Sequence, residues 1–262
     1  MSASAQPRWL PWLSYLLLWP AFALATAAFG SVALLASLFD PSGRVQHRIA
    51  RAWGTTVLRI AVSPVRLVGA ENLRGVGPAV YAANHLSYMD TPVILSKLPF
   101  QFRILARHEL FRIPFIGWYL RRSGQIAVDS TSLRANLASL NRGAETVRRG
   151  MSLVLFPEGG RSADGQLQPF LSGLAIIAIR AQAPIVPLAI VGTHELMPMH
   201  TYHLHPRPLY LVAGEPIPTT GYTTRQAEQL VARVAEAIAA MSAQYGCPCI
   251  SQPDPAPAEL SQ

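Results

Sequence analysis

A histidine and an aspartate five residues apart form the first group in this sequence that could do acid–base chemistry. His85 and Asp90 directly follow a short apolar run, residues 79–83, that predicts a buried strand. Histidine takes up a proton near neutral pH, and a carboxylate on its other ring nitrogen would fix the tautomer and stabilise the imidazolium. Since residues five apart on a helix point about 140° away from each other, a catalytic pair requires a turn between them. The alternative is a loop histidine beside an aspartate that only caps a helix.

A glycine-rich segment after a second apolar run has the composition of an anion site. It contains Glu158, Gly159, Gly160, Arg161 and Ser162. Consecutive glycines expose backbone N–H groups, the planar guanidinium matches phosphate oxygens, and a hydroxyl adds a further hydrogen bond. Because a carboxylate repels phosphate, we expect Glu158 to orient Arg161 or to bind a substrate hydroxyl. The alternative is a glycine turn between two elements, with an ion pair on its surface.

Both segments lie in a chain that alternates between strand and helix patterns. Strands are predicted at 65–68, 79–83, 102–106, 125–128, 152–156, 185–190 and 209–213. Helices are predicted at 44–62, from Thr91-Pro92 onward, and at 109–120, 132–149, 174–181 and 226–245. The second is expected to be capped by Asp90 or Thr91, the third contains Pro114, and the fourth is expected to be capped by Ser130 or Thr131. The alternation predicts an α/β fold, a single domain with one mixed-sheet layer flanked by helices.

The first part of the chain has the length and composition of a membrane anchor. From Trp9 to Phe39 there are 31 residues without a charge. A straight helix of that length would span about 46 Å, against about 30 Å of bilayer hydrocarbon. Pro20 lies within the run, so we expect either one kinked transmembrane helix or two short helices at about 10–19 and 21–38. A cleaved signal peptide is the competing interpretation, but the apolar run continues a dozen residues past Ala25-Thr26-Ala27.

The charge distribution favours a lipid partner and sets the expected orientation. The net charge is +8, half of the residues are hydrophobic, and no nucleic-acid motif accompanies the basic residues. Nucleic acid is therefore not expected as a partner, whereas membrane lipids are. Arginines are more frequent after the apolar run than before it, which places the following domain on the cytoplasmic side of the cell inner membrane. The arginines that follow are Arg44, Arg48, Arg51 and Arg59, and only Arg8 precedes the run.

Four motifs together resemble one known family. They are Asn84-His85 with Asp90 in the pattern N-H-x-x-x-x-D, the segment F-P-E-G-G-R-S at 156–162, and the segments at 109–118 and 185–188. In this order, over residues 50–215, the chain resembles the phospholipid/glycerol acyltransferase family, with the bacterial 1-acylglycerol-3-phosphate acyltransferases as the most similar group. The resemblance implies an acyltransferase domain, which we place at 44–246. The apolar run predicts a membrane anchor at 1–43, and the composition of the last residues predicts a disordered tail at 247–262.

The resemblance also implies a reaction and a set of residues. An acyl group would pass from acyl carrier protein or coenzyme A to the free sn-2 hydroxyl of 1-acyl-glycerol-3-phosphate, without a metal or cofactor. His85 would be the general base and Asp90 its partner. The residues implied in binding the lysophospholipid acceptor are Asn84, Glu158, Gly159, Gly160, Arg161 and Ser162.

Three positions depart from the family pattern. Ser130 stands where the family has an arginine, Leu171 where it often has a lysine, and Gly160 where it usually has a threonine. A charge-assisted hydrogen bond contributes about 1.5–3 kcal/mol, so the absence of two cations weakens the expected binding of a phosphomonoester. Compensating cations could be Arg121, Arg122 or Arg134.

The departures leave alternatives open. The acceptor could be another lysolipid, such as a lyso-ornithine lipid, or the fold could serve lipid binding without catalysis. A serine esterase is disfavoured because no G-x-S-x-G segment occurs. Residues 103–122 mix arginines with aromatic residues, which is typical of a segment at a membrane surface. A core helix with charged flanks would give the same pattern.

Overall fold

The structure is a computed structural model of the chain, and it describes residues 12, 14–129, 132–199, 201 and 203–246. The predicted tail at 247–262, with Cys247 and Cys249, therefore lies outside the described residues. The N-terminal boundary of the predicted anchor does as well.

One seven-stranded mixed sheet forms the centre of the domain, which confirms the predicted fold class. The strands are β1 (Val65–Val68), β2 (Val80–Ala83), β3 (Phe102–Arg107), β4 (Ile126–Val128), β5 (Ser152–Leu155), β6 (Ile185–Val191) and β7 (Leu209–Ala213). Their order is β1-β7-β6-β2-β5-β3-β4. Neighbours are parallel except β6 and β7, which are antiparallel. Strands β2 to β6 therefore all end at one edge of the sheet, called the carboxyl edge below.

Helices cover both faces of the sheet. They are α1 (Trp19–Ala36), α2 (Arg44–Ile60), α3 (Asp90–Lys97), α4 (Ile116–Arg122), α5 (Leu133–Arg148), α6 (Gly173–Ala181), α7 (Thr193–Leu196) and α8 (Ala227–Gln244). Alternate residues of β2 point to opposite faces. Tyr81 and Ala83 pack in a core with α2 and α3, while Val80 and Ala82 pack with α5, α6 and α8. Both faces are thus buried, as a parallel sheet requires.

The segment around Pro114 differs from the predicted helix at 109–120. It forms a 3-10 turn, His108–Arg112, followed by the separate helix α4. Proline lacks an N–H and disfavours a helical conformation in the residue before it, so a continuous helix cannot form across it. Phe115, directly after the proline, has a positive φ of 62° and is largely exposed.

From Ser14 to Ala36 the apolar run forms one continuous helix, so of the two predicted alternatives the structure has the single helix. A π-helical turn, Ser14–Leu18, leads directly into α1. Pro20 lies in the first turn of α1, where the missing N–H is tolerated. The combined helix, Ser14–Ala36, has 23 residues with a mean hydropathy of 1.7, and only 11% of its most apolar window is buried. By length and composition it can cross a membrane.

This helix is also packed against the domain. Near its start, the Ser14 hydroxyl accepts a hydrogen bond from the Leu204 N–H at 3.2 Å. In its middle, Phe22 is buried in the core beside α2, and the Trp53 indole N–H donates to the Thr26 hydroxyl at 3.1 Å. The contacts run along the helix, so α1 forms an outer layer over α2.

Candidate active site

His85 and Asp90 meet in a sharp turn at the carboxyl edge. Strand β2 ends at Ala83, and α3 begins at Asp90. The turn between them folds the aspartate back, so that His85 Nδ1 lies 2.8 Å from Asp90 Oδ2. Because the carboxylate can only accept, Nδ1 carries the proton and Nε2 keeps its lone pair. The His85 ring stacks on Phe156 with centroids 3.9 Å apart, and 14% of its side chain is exposed. The structure thus brings together the two predicted catalytic side chains.

Asp90 is fully buried and held by donors from two parts of the chain. Its Oδ2 also accepts the N–H groups of Leu86 at 2.7 Å and Ser87 at 2.8 Å, while its Oδ1 accepts the Thr193 hydroxyl at 2.6 Å. The prediction that Asp90 or Thr91 caps α3 is wrong. Asp90 is the first helical residue, and its carboxylate points back into the turn rather than along the helix. Its orientation, and with it that of the imidazole, is fixed.

Glu158 joins the glycine-rich loop to the histidine. Its Oε1 accepts the His85 N–H at 2.6 Å, and its Oε2 accepts the Gln168 N–H at 2.9 Å. The Ser162 N–H in turn donates to the His85 carbonyl at 3.0 Å. Among the described residues Glu158 forms no ion pair with Arg161, so it does not orient that guanidinium directly. Each carboxylate oxygen accepts one backbone N–H and has a further lone pair, so binding of a substrate hydroxyl stays a prediction. Burial, with a smaller contribution from the nearby Asp90 charge, raises the pKa of Glu158 to about 7, although its two hydrogen bonds oppose the shift.

Two other residues implied in substrate binding have their side chains turned into the protein. The Asn84 amide donates to the Ile190 carbonyl at 2.9 Å and accepts the Ile190 N–H at 2.7 Å. It thereby ties the end of β2 to β6 beneath the histidine. The buried Ser162 hydroxyl donates to the Asp164 carboxylate at 2.7 Å. Both residues position the site from inside, and neither presents its polar side chain to a bound molecule.

Arg161 and the two glycines form the open part of the site. The Arg161 guanidinium carbon lies 3.8 Å from the centre of the Tyr88 ring. Gly159 has a φ of 72°, which favours glycine, and a Cβ built on Gly160 would meet nothing within 4 Å. In the described part of the chain, Arg161 forms no ion pair, and the N–H groups of Gly160 and Arg161 have no internal acceptor. These donors suit an anion beside the histidine.

The positions of the expected compensating cations are now defined. Arg121 and Arg122 end α4, and Gly124 just after them lies against the guanidinium of Arg103 at the start of β3, so both lie toward the edge opposite His85. Arg134 begins α5 after β4 and lies at the carboxyl edge, but β4 is three strands away from β2. Leu171 is 60% exposed, with its Cδ1 3.0 Å from the position of a Cβ on Gly159. Ser130 lies outside the described residues. Arg161 is therefore the cation nearest the histidine turn.

Sequence reasoning missed three residues of this site. The Thr193 hydroxyl donates to Asp90, which lies 103 positions earlier in the chain. The Gln168 N–H donates to Glu158, and the Tyr88 ring packs against the Arg161 guanidinium. Tyr88 lies within the histidine motif, so its proximity to the site could have been anticipated. Thr193 has no local sequence signal, because its partner is set by the strand order. Gln168 has none because it contributes its backbone N–H, which nearly every residue type carries.

Glu158 makes the stability of the loop pH-dependent. Its pKa is about 7 in the folded protein against an ordinary 4.5, so the folded state holds its proton more tightly. This contribution to the free energy of unfolding is present below about pH 4.5 and is lost as the pH rises through about 7. We expect Glu158→Gln to be less stable at every pH, because an amide accepts only one of the two N–H groups, yet to lose less stability between pH 5 and 8.

The measurement is the thermal midpoint of the detergent-solubilised protein across that range. Exposed Glu215 provides the control, since Glu215→Gln should keep the parental slope. An identical slope in Glu158→Gln and the parent would contradict the assignment.

Comparison with known proteins agrees with the fold. The acyltransferase family model matches residues 64–191, which include both polar motifs. A 1-acyl-sn-glycerol-3-phosphate acyltransferase of Arabidopsis thaliana chloroplasts is 35% identical over 166 residues, covering 62% of this chain and 45% of that protein. The enzyme of that name from Borreliella burgdorferi is 29% identical over 152 residues, covering 58% of this chain and 61% of its own. The chain thus spans about half to two thirds of these relatives.

A crystal structure matches most of the chain. The 1-acyl-sn-glycerophosphate acyltransferase of Thermotoga maritima superposes with a TM-score of 0.68 and 26% identity, covering 86% of this chain and 96% of that one. The likeness in fold therefore extends over most of the domain described above. Together with the matched family model, this makes the chain similar to the acyltransferase family over residues 64–191.

Proposed function

We propose that this protein transfers an acyl group from a thioester to the free sn-2 hydroxyl of 1-acyl-glycerol-3-phosphate, forming phosphatidic acid. The observation that carries the proposal is the buried Asp90 behind His85, in a turn to which the loop of Arg161 is hydrogen-bonded through Glu158 and Ser162. A base next to an anion site suits an acceptor that carries both a hydroxyl and a phosphate. The relatives that carry this name support the choice of acceptor.

The proposed reaction is a direct transfer. His85 Nε2 removes the proton of the acceptor hydroxyl as the oxygen attacks the thioester carbonyl carbon. Asp90 stabilises the imidazolium that forms, without taking the proton itself. The tetrahedral intermediate collapses by breaking the carbon–sulfur bond, and the imidazolium returns its proton to the leaving thiolate. The products are the ester and a free thiol, and the N–H groups of Gly160 or Arg161 are available to stabilise the developing oxyanion.

The donor and the location belong to the same proposal. A thioester on acyl carrier protein or on coenzyme A supplies the acyl group, and the reaction itself calls for no metal or cofactor. The apolar helix Ser14–Ala36 attaches the protein to the cell inner membrane, where the lipid acceptor resides. The arginines that follow it favour a catalytic domain on the cytoplasmic face.

A second acceptor class is favoured by one observation. In the described part of the chain, the site presents Arg161 as its cation and has Leu171 at a position where relatives often have lysine. A site with a single cation binds a phosphomonoester less tightly than a site with several cations. Another lysolipid, such as a lyso-ornithine lipid or a lysophospholipid with a larger headgroup, is therefore the alternative acceptor.

His85→Ala should nearly abolish transfer to 1-acyl-glycerol-3-phosphate. Positioned general-base catalysis contributes about 10²–10⁴ in rate, so we expect a loss of that size, with a smaller loss in Asp90→Asn. The measurement is ester formation by purified protein with several lysolipid acceptors, and His108→Ala is the control outside the site. Transfer only to other lysolipids would select the second acceptor class. Release of free fatty acid without an acceptor would indicate an esterase, and no turnover with either donor would contradict the enzyme proposal.

Thr193→Val should lower kcat while leaving KM nearly unchanged. Valine keeps the shape but removes the hydroxyl donor to Asp90, and a hydrogen bond to a charged group contributes about 1.5–3 kcal/mol, or about 10–100-fold in rate. Thr193→Ser keeps the donor and should restore most of the rate. A parental kcat in Thr193→Val, or a loss that serine does not restore, would show that this hydroxyl does not position the aspartate.

Tyr88→Leu should raise KM for the phosphorylated acceptor, because it removes the ring beneath Arg161. A cation–π contact at an exposed site is worth about 0.5–1 kcal/mol, so we expect about a two- to fivefold increase in KM. Tyr88→Phe keeps the ring and should behave like the parent. When Arg161 is already alanine, Tyr88→Leu should have no further effect on KM. Additive effects in the double variant would mean that Tyr88 acts independently of Arg161.

A further inference from the structure

A second candidate binding site lies far from the histidine. A groove of about 590 Å³ runs between the last turns of α1 and α4, lined by Leu34, Leu35, Ser37, Leu38, Trp118, Arg121 and Arg122. Its volume is within the roughly 300–1,000 Å³ of small-molecule sites. One wall is aliphatic and belongs to α1, whereas the other carries an indole and two guanidinium groups. The lining therefore suits an amphipathic ligand.

The charge of the groove is positive and uncompensated. No carboxylate lines it, and Arg121 and Arg122 form no ion pair within the described residues. Arg121 donates through Nη1 to the Phe111 carbonyl, which anchors one end of its guanidinium and leaves the remaining donors available. Two arginines, one of them held in place, form a site for a phosphate group.

The groove cannot be part of the site around His85. Gly124, two residues after Arg122, lies against the guanidinium of Arg103, the second residue of β3, and this guanidinium donates to the Ser42 carbonyl just after α1. The groove thus lies toward the amino edge of the sheet, while His85 follows the carboxyl end of β2. The length of the central strands separates the two.

The surroundings of the groove are strongly apolar. Leu38, Phe39 and Phe115 are 60%, 87% and 68% exposed. With Leu35 and Trp118 they extend the exposed side of α1 toward α4. An apolar surface of this kind next to arginines is typical of proteins that lie against a bilayer, where aromatic rings reach headgroup depth.

We propose that this groove binds an anionic glycerophospholipid from the surrounding bilayer. The phosphate lies at Arg121 and Arg122, and an acyl chain runs along Leu34 and Leu38 beside the Trp118 ring. The proposal rests on the membrane attachment proposed above but does not depend on turnover. The occupant is a bilayer lipid and not the acceptor, because the groove is remote from the general base.

Trp118 reports occupancy directly. The protein is reconstituted in phosphatidylcholine vesicles that contain equal fractions of brominated phosphatidylglycerol or brominated phosphatidylcholine, whose bromine atoms quench nearby tryptophan emission. The signal of Trp118 is the difference between the parent and Trp118→Phe, since the chain has 5 tryptophans. We expect the brominated phosphatidylglycerol to be preferred about fivefold, in line with one basic residue near an anionic headgroup.

The variants separate a defined site from general attraction to anionic lipid. Arg122→Gln should reduce the preference to about twofold, because Arg121 remains, and Arg122→Lys should keep most of it. Arg134→Gln removes the same charge at the other edge of the sheet and should change nothing. Equal quenching by both lipids in the parent, or the same loss in Arg134→Gln as in Arg122→Gln, would overturn the proposal. Failure to bind vesicles would overturn it together with membrane attachment, while leaving the acyl-transfer assay as a separate test of the reaction.

Discussion

The Asp90 carboxylate is the group on which the site depends. It is fully buried and accepts hydrogen bonds from the His85 ring, from the backbone of its own turn and from Thr193. Burying a carboxylate is costly unless its acceptor capacity is used, so each donor offsets part of that cost. The same bonds give the turn between β2 and α3 one conformation. The histidine is consequently held in one tautomer and one orientation, which is what a general base requires.

The glycine-rich loop is held to this turn by its backbone rather than by its charges. Glu158 accepts the His85 N–H, the Ser162 N–H donates to the His85 carbonyl, and Phe156 stacks on the imidazole. Glu158, which was expected to contact substrate, therefore connects the glycine-rich loop to the histidine turn. Arg161 is left without an acidic partner in the described part of the chain, and its charge remains available to a phosphate. Positioning and anion binding are thus divided between neighbouring residues.

The sheet separates two surfaces with different chemistry. The polar site lies at the carboxyl edge, where parallel strands lead into loops. The apolar α1 covers α2, and its far end meets α4 near the amino edge. In the proposed function, helix α1, which faces the lipid, and the catalytic pair His85 and Asp90 belong to the same domain. Its arginines are then distributed between acceptor binding and contact with the bilayer.

The sequence predicted the alternation of strands and helices because their hydrophobic periods differ and their lengths are ordinary. It also indicated the reacting pair, since His85 and Asp90 are close in the chain and directly follow a strand. Errors arose where local pattern competes with a backbone constraint. Pro114 divided one predicted helix, whereas Pro20 fell in a first turn and did not divide another.

Only the tertiary structure decided what the polar side chains contact. Asn84 and Glu158 are residue types that commonly bind ligands. In the folded protein, however, each polar atom of their side chains forms a hydrogen bond with a backbone carbonyl or N–H. Thr193 reached Asp90 because β6 lies beside β2, a neighbour relation that no local pattern encodes. Residue types and short spacings determine which chemistry is available. Which groups are buried and must be satisfied inside the protein, and which remain open to a ligand, follows from contacts between distant segments.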